Sequence, residues 1–231
     1  MPASFDQYSD GYEDFLRDPV RDRFAPSGHI YFHHRKVGQL CQFLSAQQLG
    51  SSRLSLLDVG CGTGEFLSLC APQFGHVEGC DISESMLRLP RSKGLTVRLQ
   101  EFPRRIPYGN SEFDVVTANC VFHHVPDEDR ITLLSEIHRV LKPSGVLCAV
   151  EHNPFNPVTR AIVKRTPVDT DAKLLTAGLF RRLARTAGFE IRTTRFYLYL
   201  PEKLYTRLSW FEDLLAWVPL GGQYALFCRK W

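Results

Sequence analysis

A glycine-rich turn after a buried strand is the segment of this sequence best suited to hold a ligand. The apolar run Leu54–Val59 leads directly into Gly60-Cys61-Gly62-Thr63-Gly64, and a helical pattern begins at Glu65. Glycines in such a turn let the backbone approach a ligand without a Cβ in the way. Asp81 ends the next predicted strand, where a doubly wound fold places an acid for ribose hydroxyls. Together these two features predict a site for a ribose-containing ligand.

The spacing of the glycines distinguishes two classes of ligand. A dinucleotide site needs G-x-G-x-x-G, with the start of a helix directed at the pyrophosphate. Here the pattern is G-x-G-x-G, and Glu65 occupies the place of the third glycine. A carboxylate at the start of a helix repels phosphate but tolerates a cation. S-adenosylmethionine (SAM) carries a sulfonium and an ammonium group and no phosphate, so the sequence favours SAM over NAD.

Histidines cluster after the fourth and fifth predicted strands. His123 and His124 follow one strand, and His152 follows the other. Ligands of open α/β sheets lie beyond the carboxyl ends of the strands, and histidine titrates near neutral pH. We therefore expect one of the three to accept a proton from the substrate. No carboxylate-rich ligand set accompanies them in the sequence, so we expect no metal ion.

Strand and helix patterns alternate from Leu54 to Val150. Short apolar runs bounded by turn residues indicate buried strands, and apolar residues three and four apart indicate helices. The predicted strands are Leu54–Val59, His76–Cys80, Leu95–Leu99, Phe113–Ala118 and Val146–Val150. The predicted helices are Tyr31–Gln48, Glu65–Phe74, Glu84–Leu89 capped by Ser83, and one capped by Asp127 that ends near Pro143. Such alternation predicts right-handed βαβ units and a parallel sheet.

The last third of the chain departs from the regular alternation of strand and helix patterns. Asn153–Asp171 contains three prolines and no clean period, which predicts a loop or a short helical cap. A helix over Leu174–Ala187, a strand over Phe189–Leu200, a helix over Glu202–Val218 and a strand over Gln223–Arg229 follow. Two strands joined through a helix predict an antiparallel edge on the sheet.

The composition predicts one globular domain. The chain has 231 residues, 44% of them apolar, which suits one α/β domain with a lid better than two domains. A net charge of +3 gives no reason to expect nucleic acid as a partner. Seven cysteines without CxxC spacing predict free thiols in a reducing compartment. The sequence shows no signal core and no membrane span, so we expect a cytoplasmic location.

Five motifs in order resemble those of the class I SAM-dependent methyltransferases, in particular the broad group that acts on small molecules. They are LDVGCGTGEF from Leu57, Asp81-Ile82, Gln100-Glu101-Phe102, the segment Phe113–Asp127, and Leu141–Gly145. The resemblance implies a Rossmann-like, doubly wound sheet of seven strands, mostly parallel, with an antiparallel edge strand. It divides the chain into an N-terminal lid and helix, residues 1–50, and a methyltransferase domain, residues 51–231, within one structural unit.

The same resemblance assigns SAM-binding roles to particular residues. Gly60, Cys61 and Gly62 would lie against the methionine part, with Asp58 supporting the turn or binding the amino group through water. Asp81 would bind the ribose, Ile82 would pack on the adenine, and Glu101 or Phe102 would meet the adenine edge. Asn119 would offer its carbonyl to the ammonium group. The remaining residues that the resemblance places at the cofactor are Tyr8, Gly64, Met86 and Cys120.

These patterns predict a SAM-dependent enzyme that methylates a small molecule at O, N or C, in secondary or specialised metabolism. An RNA or protein methyltransferase is an alternative, but the chain has no basic face or added recognition domain. A SAM-binding protein without methyl transfer is another. The aromatic residues before Tyr31 predict a lid over the carboxyl ends of the strands. The family resemblance implies that a tyrosine of this segment, Tyr8 or Tyr12, lies near the methionine end of SAM. The oligomeric state stays open.

Overall fold

The computed structural model describes residues 5–8, 11–101 and 105–231, apart from the side chains of Phe5 and Glu13. Its seven strands are β1 Ser55–Val59, β2 His76–Asp81, β3 Thr96–Leu99, β4 Phe113–Asn119, β5 Leu141–His152, β6 Phe189–Tyr197 and β7 Gln223–Lys230. They form one sheet in the order β3-β2-β1-β4-β5-β7-β6. The reversal of strand order beside β1 is typical of a doubly wound fold, and it opens a crevice there.

The sheet is mixed in the way the sequence predicts. Strands β1 to β5 pair in parallel, and β7 is antiparallel to both β5 and β6. The predicted seven-stranded, mostly parallel sheet is therefore confirmed. The antiparallel strand β7 lies one place in from the edge, and β6 forms the edge itself.

Helices cover both faces of the sheet. They are α1 Tyr12–Phe15, α2 Pro19–Phe24, α3 His29–Ala46, α4 Glu65–Cys70, α5 Arg88–Ser92, α6 Arg130–Val140, α7 Pro157–Arg165, α8 Ala177–Thr186 and α9 Glu202–Leu214. Short 3-10 turns occur at Phe5–Tyr8, Ser51–Arg53, Phe122–His124 and Pro167–Asp169. Among the described residues, no helix is both long and apolar enough to cross a membrane.

Successive residues of the central strands enter two different cores. Leu56 packs with residues of α3 and α4, whereas Leu57 packs with residues of α6 and α8. Both leucines are fully buried. A strand buried on both faces explains the continuous apolar run before the glycine turn, and it anchors that turn rigidly at the carboxyl edge of the sheet.

Two helices begin later than the sequence predicts. The helix expected over Glu84–Leu89 begins only at Arg88, because Ser83 caps a turn instead: its hydroxyl accepts a hydrogen bond from the Met86 amide at 3.2 Å. The helix α6 begins after Asp129, so Asp127 does not cap it. The helix α7 is the short helical cap that was expected as the alternative to a loop. The side chain of Asn156 caps it by accepting from the Thr159 amide at 2.9 Å, and Pro157 occupies its first turn.

Candidate functional site

A cavity of about 360 Å³ opens at the carboxyl ends of β1, β2, β4 and β5. One end is lined by the glycine turn after β1 and by the residues that end β2, and the other by the histidines after β4 and β5. Residues of α1 to α3 and of α7 cover it. The size and position fit a small-molecule site in a doubly wound fold. We call the first part the cofactor end and the second the acceptor end.

The glycine turn is held by the neighbouring strand. The amides of Gly60 and Cys61 both donate to the Cys80 carbonyl, at 2.8 and 3.0 Å. Gly60 has φ of +71°, and a Cβ there would lie 2.6 Å from the Val121 side chain. The turn therefore requires glycine at this position. Gly64 does not line the cavity, because it packs against Pro90 beneath the turn.

Asp81 links the turn to the end of β2. Its Oδ2 accepts from the Gly62 amide at 2.8 Å and its Oδ1 from the Ser83 amide at 2.9 Å. Burial raises the pKa of this carboxyl above its usual range, although those amides oppose the shift. Each oxygen keeps a lone pair for a further donor. A carboxylate fixed in this way fits the two hydroxyls of a ribose, as the sequence predicts.

Asp58 lies in β1, two residues before the glycine turn. Its Oδ1 accepts from the Thr117 hydroxyl at 2.6 Å and from the Asn119 amide nitrogen at 3.0 Å. Burial raises its pKa to about 7, against the effect of these hydrogen bonds. The Asn119 side-chain oxygen is buried without a hydrogen-bond partner. A buried acceptor beside a carboxylate fits the ammonium group of SAM, which is a donor and a cation.

Lys36 gives the cofactor end a positive charge that sequence reasoning missed. It projects from α3, lines the cavity and is almost fully buried. Its charge lowers the pKa of Asp58 and that of the Cys120 thiol. Such a cation complements a carboxylate ligand. Because α3 looks in sequence like an ordinary amphipathic helix, nothing in its pattern marks Lys36 as a site residue.

The edge of the cofactor end is formed by Ile82, Met86 and Gln100, all of which line the cavity. Gln100 is buried, and its side-chain oxygen accepts from the Cys80 thiol at 3.3 Å. Glu101 is exposed and forms an isolated bridge with Arg105. The adenine edge was predicted to meet Glu101 or Phe102, but the structure brings their neighbour Gln100, and not Glu101, to the cavity. Phe102 lies outside the described residues.

The acceptor end contains a buried cluster of histidines and acids. Nδ1 of His123 is 2.6 Å from Oε2 of Glu151, and its Nε2 is 3.4 Å from Oδ1 of Asp169. Nε2 of His124 is also 3.4 Å from that oxygen of Asp169. His123 and Glu151 are both almost completely buried. Glu151 follows the fifth strand in the sequence and was expected near this end of the sheet, whereas Asp169 was not.

The carboxylates control the protonation of this cluster. Burial alone would lower the pKa of His123, but Glu151 and Asp169 raise it to about 10. Burial and the nearby His123 lower the pKa of His124, and Asp169 opposes them. Burial acts to raise the pKa of Asp169, but the histidines hold it well below its usual value. Both ring nitrogens of His123 face carboxylates, which leaves this residue poorly placed to take a proton from a substrate.

His152 lies beside a different group. It lowers the pKa of the Cys120 thiol, and both side chains line the cavity. The Gln223 side-chain nitrogen lies 3.6 Å from the same sulfur. Burial would raise the pKa of Cys120, but Lys36 and His152 outweigh it and lower the pKa to about 7. Cys120 also has φ of +60°, an uncommon conformation for a non-glycine residue.

The N-terminal segment contributes Tyr12 rather than Tyr8 to the cavity. Tyr12, Leu16, Arg21 and Phe24 all line it. The hydroxyl of Tyr8 instead donates to the Pro167 carbonyl at 3.3 Å, because its ring packs edge-on against Phe15 and away from the cavity wall. The segment thus covers the carboxyl ends of the strands as expected of a lid. Its movement stays a prediction.

Comparison with known proteins connects this site to one family. Residues 57–149 match the sequence profile of a methyltransferase domain. The chain is 34% identical over 159 residues to the demethylmenaquinone methyltransferase of Lactobacillus johnsonii, covering 60% of this chain and 62% of that protein. It is 37% identical over 115 residues to the enzyme of the same name from Lactococcus lactis, covering 46% and 45%. The chain thus spans less than two thirds of the length of these curated relatives.

A solved structure extends the likeness to the whole chain. A SAM-dependent methyltransferase from Thermotoga maritima, described as a possible histamine N-methyltransferase, superimposes with a TM-score of 0.71. The identity is 18%, and the match covers 100% of this chain and 99% of that one. At this identity the likeness concerns the fold. The chain thus resembles a methyltransferase domain in sequence over residues 57–149 and a SAM-dependent methyltransferase in fold over its whole length.

Proposed function

We propose that this chain transfers the methyl group of SAM to a small-molecule acceptor bound in the same cavity. The observation that carries the proposal is the continuity of that cavity. It joins the glycine turn and Asp81 at one end to His123, His124 and His152 at the other. A donor and an acceptor bound at the two ends would meet between them, where proximity accelerates a displacement.

The cofactor end offers a partner for each polar group of SAM. Asp81 fits the ribose hydroxyls, Asp58 and the unpartnered oxygen of Asn119 fit the ammonium, and Lys36 fits the carboxylate. Gln100 lies where the adenine edge would come. The fit supports SAM as the cofactor, because each buried charge would gain an opposite or hydrogen-bonding group.

SAM supplies the activated methyl group and a good leaving group, so the protein has to align the acceptor and exclude water. Tyr12 and Phe24 form part of the wall over the cavity and would keep water out. This covering also favours a small acceptor, since a polypeptide or RNA chain would need to displace it. An acceptor that loses a proton needs in addition a group to receive it.

We further propose that the acceptor is an aromatic ring with hydroxyl groups, such as a phenol or a reduced quinone; the curated relatives are named for a quinone, demethylmenaquinone. The acceptor end has apolar walls from α7, including Ile162 and Val163, beside its histidines. That combination suits an aromatic ring with a hydroxyl group. His152 is the proton acceptor in this proposal, because it lies beside the Cys120 thiol, whereas His123 is held by two carboxylates.

The test is the formation of S-adenosylhomocysteine (SAH) from SAM in the presence of reduced short-chain naphthoquinols and simple phenols. We expect acceptor-dependent SAH from the wild type and a loss of about 10²–10⁴ in rate for His152→Ala, with SAH affinity retained. His138→Ala, a histidine of α6 that contacts Phe189, is the matched control and should keep its rate. Tight SAH binding without turnover on any acceptor of the panel would instead favour a SAM-binding protein without transfer. A normal rate in His152→Ala would remove this residue from the proton transfer.

A further inference from the structure

Three metal-ligand atoms converge at the acceptor end of the cavity. They are Nε2 of His123, Nε2 of His124 and a carboxylate oxygen of Asp169, and all three lie within 4.8 Å of one another. The two histidines are neighbours in a 3-10 turn after β4, and Asp169 comes from the turn after α7. Two separate parts of the chain therefore direct their ligand atoms to one point.

The spacing of these atoms matches the edges of a metal coordination shell. Each Nε2 lies 3.4 Å from Oδ1 of Asp169. Ligand atoms that bind a metal ion at about 2.1 Å with tetrahedral angles are about 3.4 Å apart. A direct charge-assisted hydrogen bond would be shorter, at about 2.8 Å. We propose that His123, His124 and Asp169 bind a divalent transition-metal ion.

Glu151 supplies the outer support that such a site needs. Its Oε2 lies 2.6 Å from Nδ1 of His123, and its Oε1 accepts from the amides of Val121 and Phe122 at 3.0 and 2.7 Å. A histidine that donates Nδ1–H to a carboxylate keeps its Nε2 lone pair for a metal, and the carboxylate also fixes the ring. Glu151 and Asp169 together balance the charge of a divalent cation.

A second cluster of similar composition differs from this one in the charged groups that surround it. His29, His33 and Glu65 also bring ligand atoms together at the cofactor end. There, Arg21 and Lys36 line the same cavity and lower the pKa of His29, so the surroundings repel a cation. Around His123 the charges that act most strongly are the carboxylates of Glu151 and Asp169, and the cation Arg21 also interacts with Asp169. Two carboxylates against this cation favour a metal ion at the acceptor end.

Two imidazoles and one carboxylate favour Zn²⁺, Fe²⁺ or a similar first-row ion over Mg²⁺ or Ca²⁺, which prefer oxygen ligands. The three residues line the cavity, so the remaining coordination positions face its interior. A hydroxyl or phenolate oxygen of the acceptor would complete the coordination and be oriented and acidified there. This role in acceptor binding rests on the proposed function, whereas metal binding itself does not.

The test uses Co²⁺, whose visible absorption becomes intense when the ion is four-coordinate. The full-length protein is treated with chelator, dialysed and titrated with Co²⁺ and, by calorimetry, with Zn²⁺. We expect one ion per chain in the wild type. Asp169→Asn should weaken binding by more than about a hundredfold, and Glu151→Gln, which alters only the outer support, by about 10- to 100-fold. Asp171→Asn is an exposed control two residues away and should bind like the wild type.

SAH affinity is measured on the same samples to show that each variant is folded and that the cofactor end is intact. Wild-type protein that binds SAH but takes up no Co²⁺ or Zn²⁺ would overturn the metal site and leave the proposed methyl transfer standing. Equal metal affinity in Asp169→Asn and wild type would place the ion elsewhere and also overturn it. Metal binding without SAH binding would support the site and count against the proposed function.

Discussion

Replacing Glu151 by glutamine removes one charge from the buried cluster while preserving its shape. In the wild type one oxygen of Glu151 accepts from the amides of Val121 and Phe122, and the other pairs with His123. The side-chain oxygen of a glutamine would still accept hydrogen bonds from these two backbone amides. Its amide nitrogen would then face Nδ1 of His123, which must become an acceptor and lose its charge. The substitution therefore tests whether this pair is ionic.

The expected magnitude follows from the burial of the pair, since neither side chain is more than 1% exposed. Breaking a buried ion pair by altering one partner costs about 3–5 kcal/mol, and the retained amide contacts favour the lower end of that range. For a chain of this size, each kcal/mol shifts Tm by about 2–4 °C. We expect Tm to fall by about 6–12 °C.

The pH dependence of the loss identifies its electrostatic origin. The pKa of His123 is raised from 6.5 to about 10 in the folded protein, so its contribution is complete below pH 6.5 and is lost as the pH rises toward 10. The pKa of Glu151 is lowered from 4.5, mainly by His123 acting against burial, so its contribution is lost as the pH falls below that value. The difference in Tm between wild type and Glu151→Gln should peak between these limits, near pH 5–6.5, and shrink toward pH 10.

The assay is thermal unfolding followed by circular dichroism, with chelator present so that metal binding does not contribute. Glu128→Gln, which removes the same charge from the exposed surface, is the control and should leave Tm within about 1 °C. A Tm difference for Glu151→Gln that is constant from pH 5 to 10 would refute the ionic pair and indicate a packing effect.

Three further predictions concern the cofactor end and its cover. Asp81→Ala should weaken SAH binding by about 1.5–3 kcal/mol in calorimetry. An unchanged SAH affinity would contradict the prediction that Asp81 binds the ribose hydroxyls. Deletion of residues 1–24 removes Tyr12 and Arg21 from the lining of the cavity, and it should leave a folded protein with little activity and weaker SAH binding. An unchanged rate and an unchanged SAH affinity would show that the segment is not a lid. Cys120 should react with iodoacetamide at half its maximal rate near pH 7 and be protected by SAH, whereas Cys41, whose pKa is raised by burial, should react only at higher pH. Mass spectrometry that finds Cys41 modified first would contradict this.

Local signals were sufficient for the glycine turn and for Asp81 at the cofactor end. The glycine turn and Asp81 are separated by a fixed βαβ unit, so their proximity follows from short-range rules of chain geometry. Asp58, Cys61 and Asn119 line the cavity as well, because they lie on or beside the ends of the same parallel strands.

The acceptor end depended on contacts that no short-range rule specifies. Asp169 reaches His123 only because α7 forms and returns the chain to the strand ends. The prolines of Asn153–Asp171 left a loop and a short helical cap as alternatives, and the Asn-Pro start at Asn156 favours the helix. The sequence places Glu151 beside His152, but it gives no sign that Glu151 pairs with His123 or that Asp169 reaches the same cluster.

The position of Lys36 in the cavity could not be predicted from the sequence for a different reason. A lysine on a helix usually lies in solvent, and only the packing of α3 against the sheet turns this one into the cavity. Tyr8 and Tyr12 were similarly indistinguishable in sequence, since both belong to a segment without a clear period. Which ring faces the cavity is decided by tertiary packing.

The most direct test of the account is a crystal structure of the chain with bound SAH. We expect the ribose hydroxyls within hydrogen-bonding distance of Asp81, the SAH carboxylate beside Lys36, and the sulfur directed toward Cys120 and His152. Electron density for SAH in that orientation would place the transferred methyl group at the acceptor end. SAH bound with its sulfur away from the histidines, or density elsewhere on the protein, would contradict the proposed methyl transfer in this cavity.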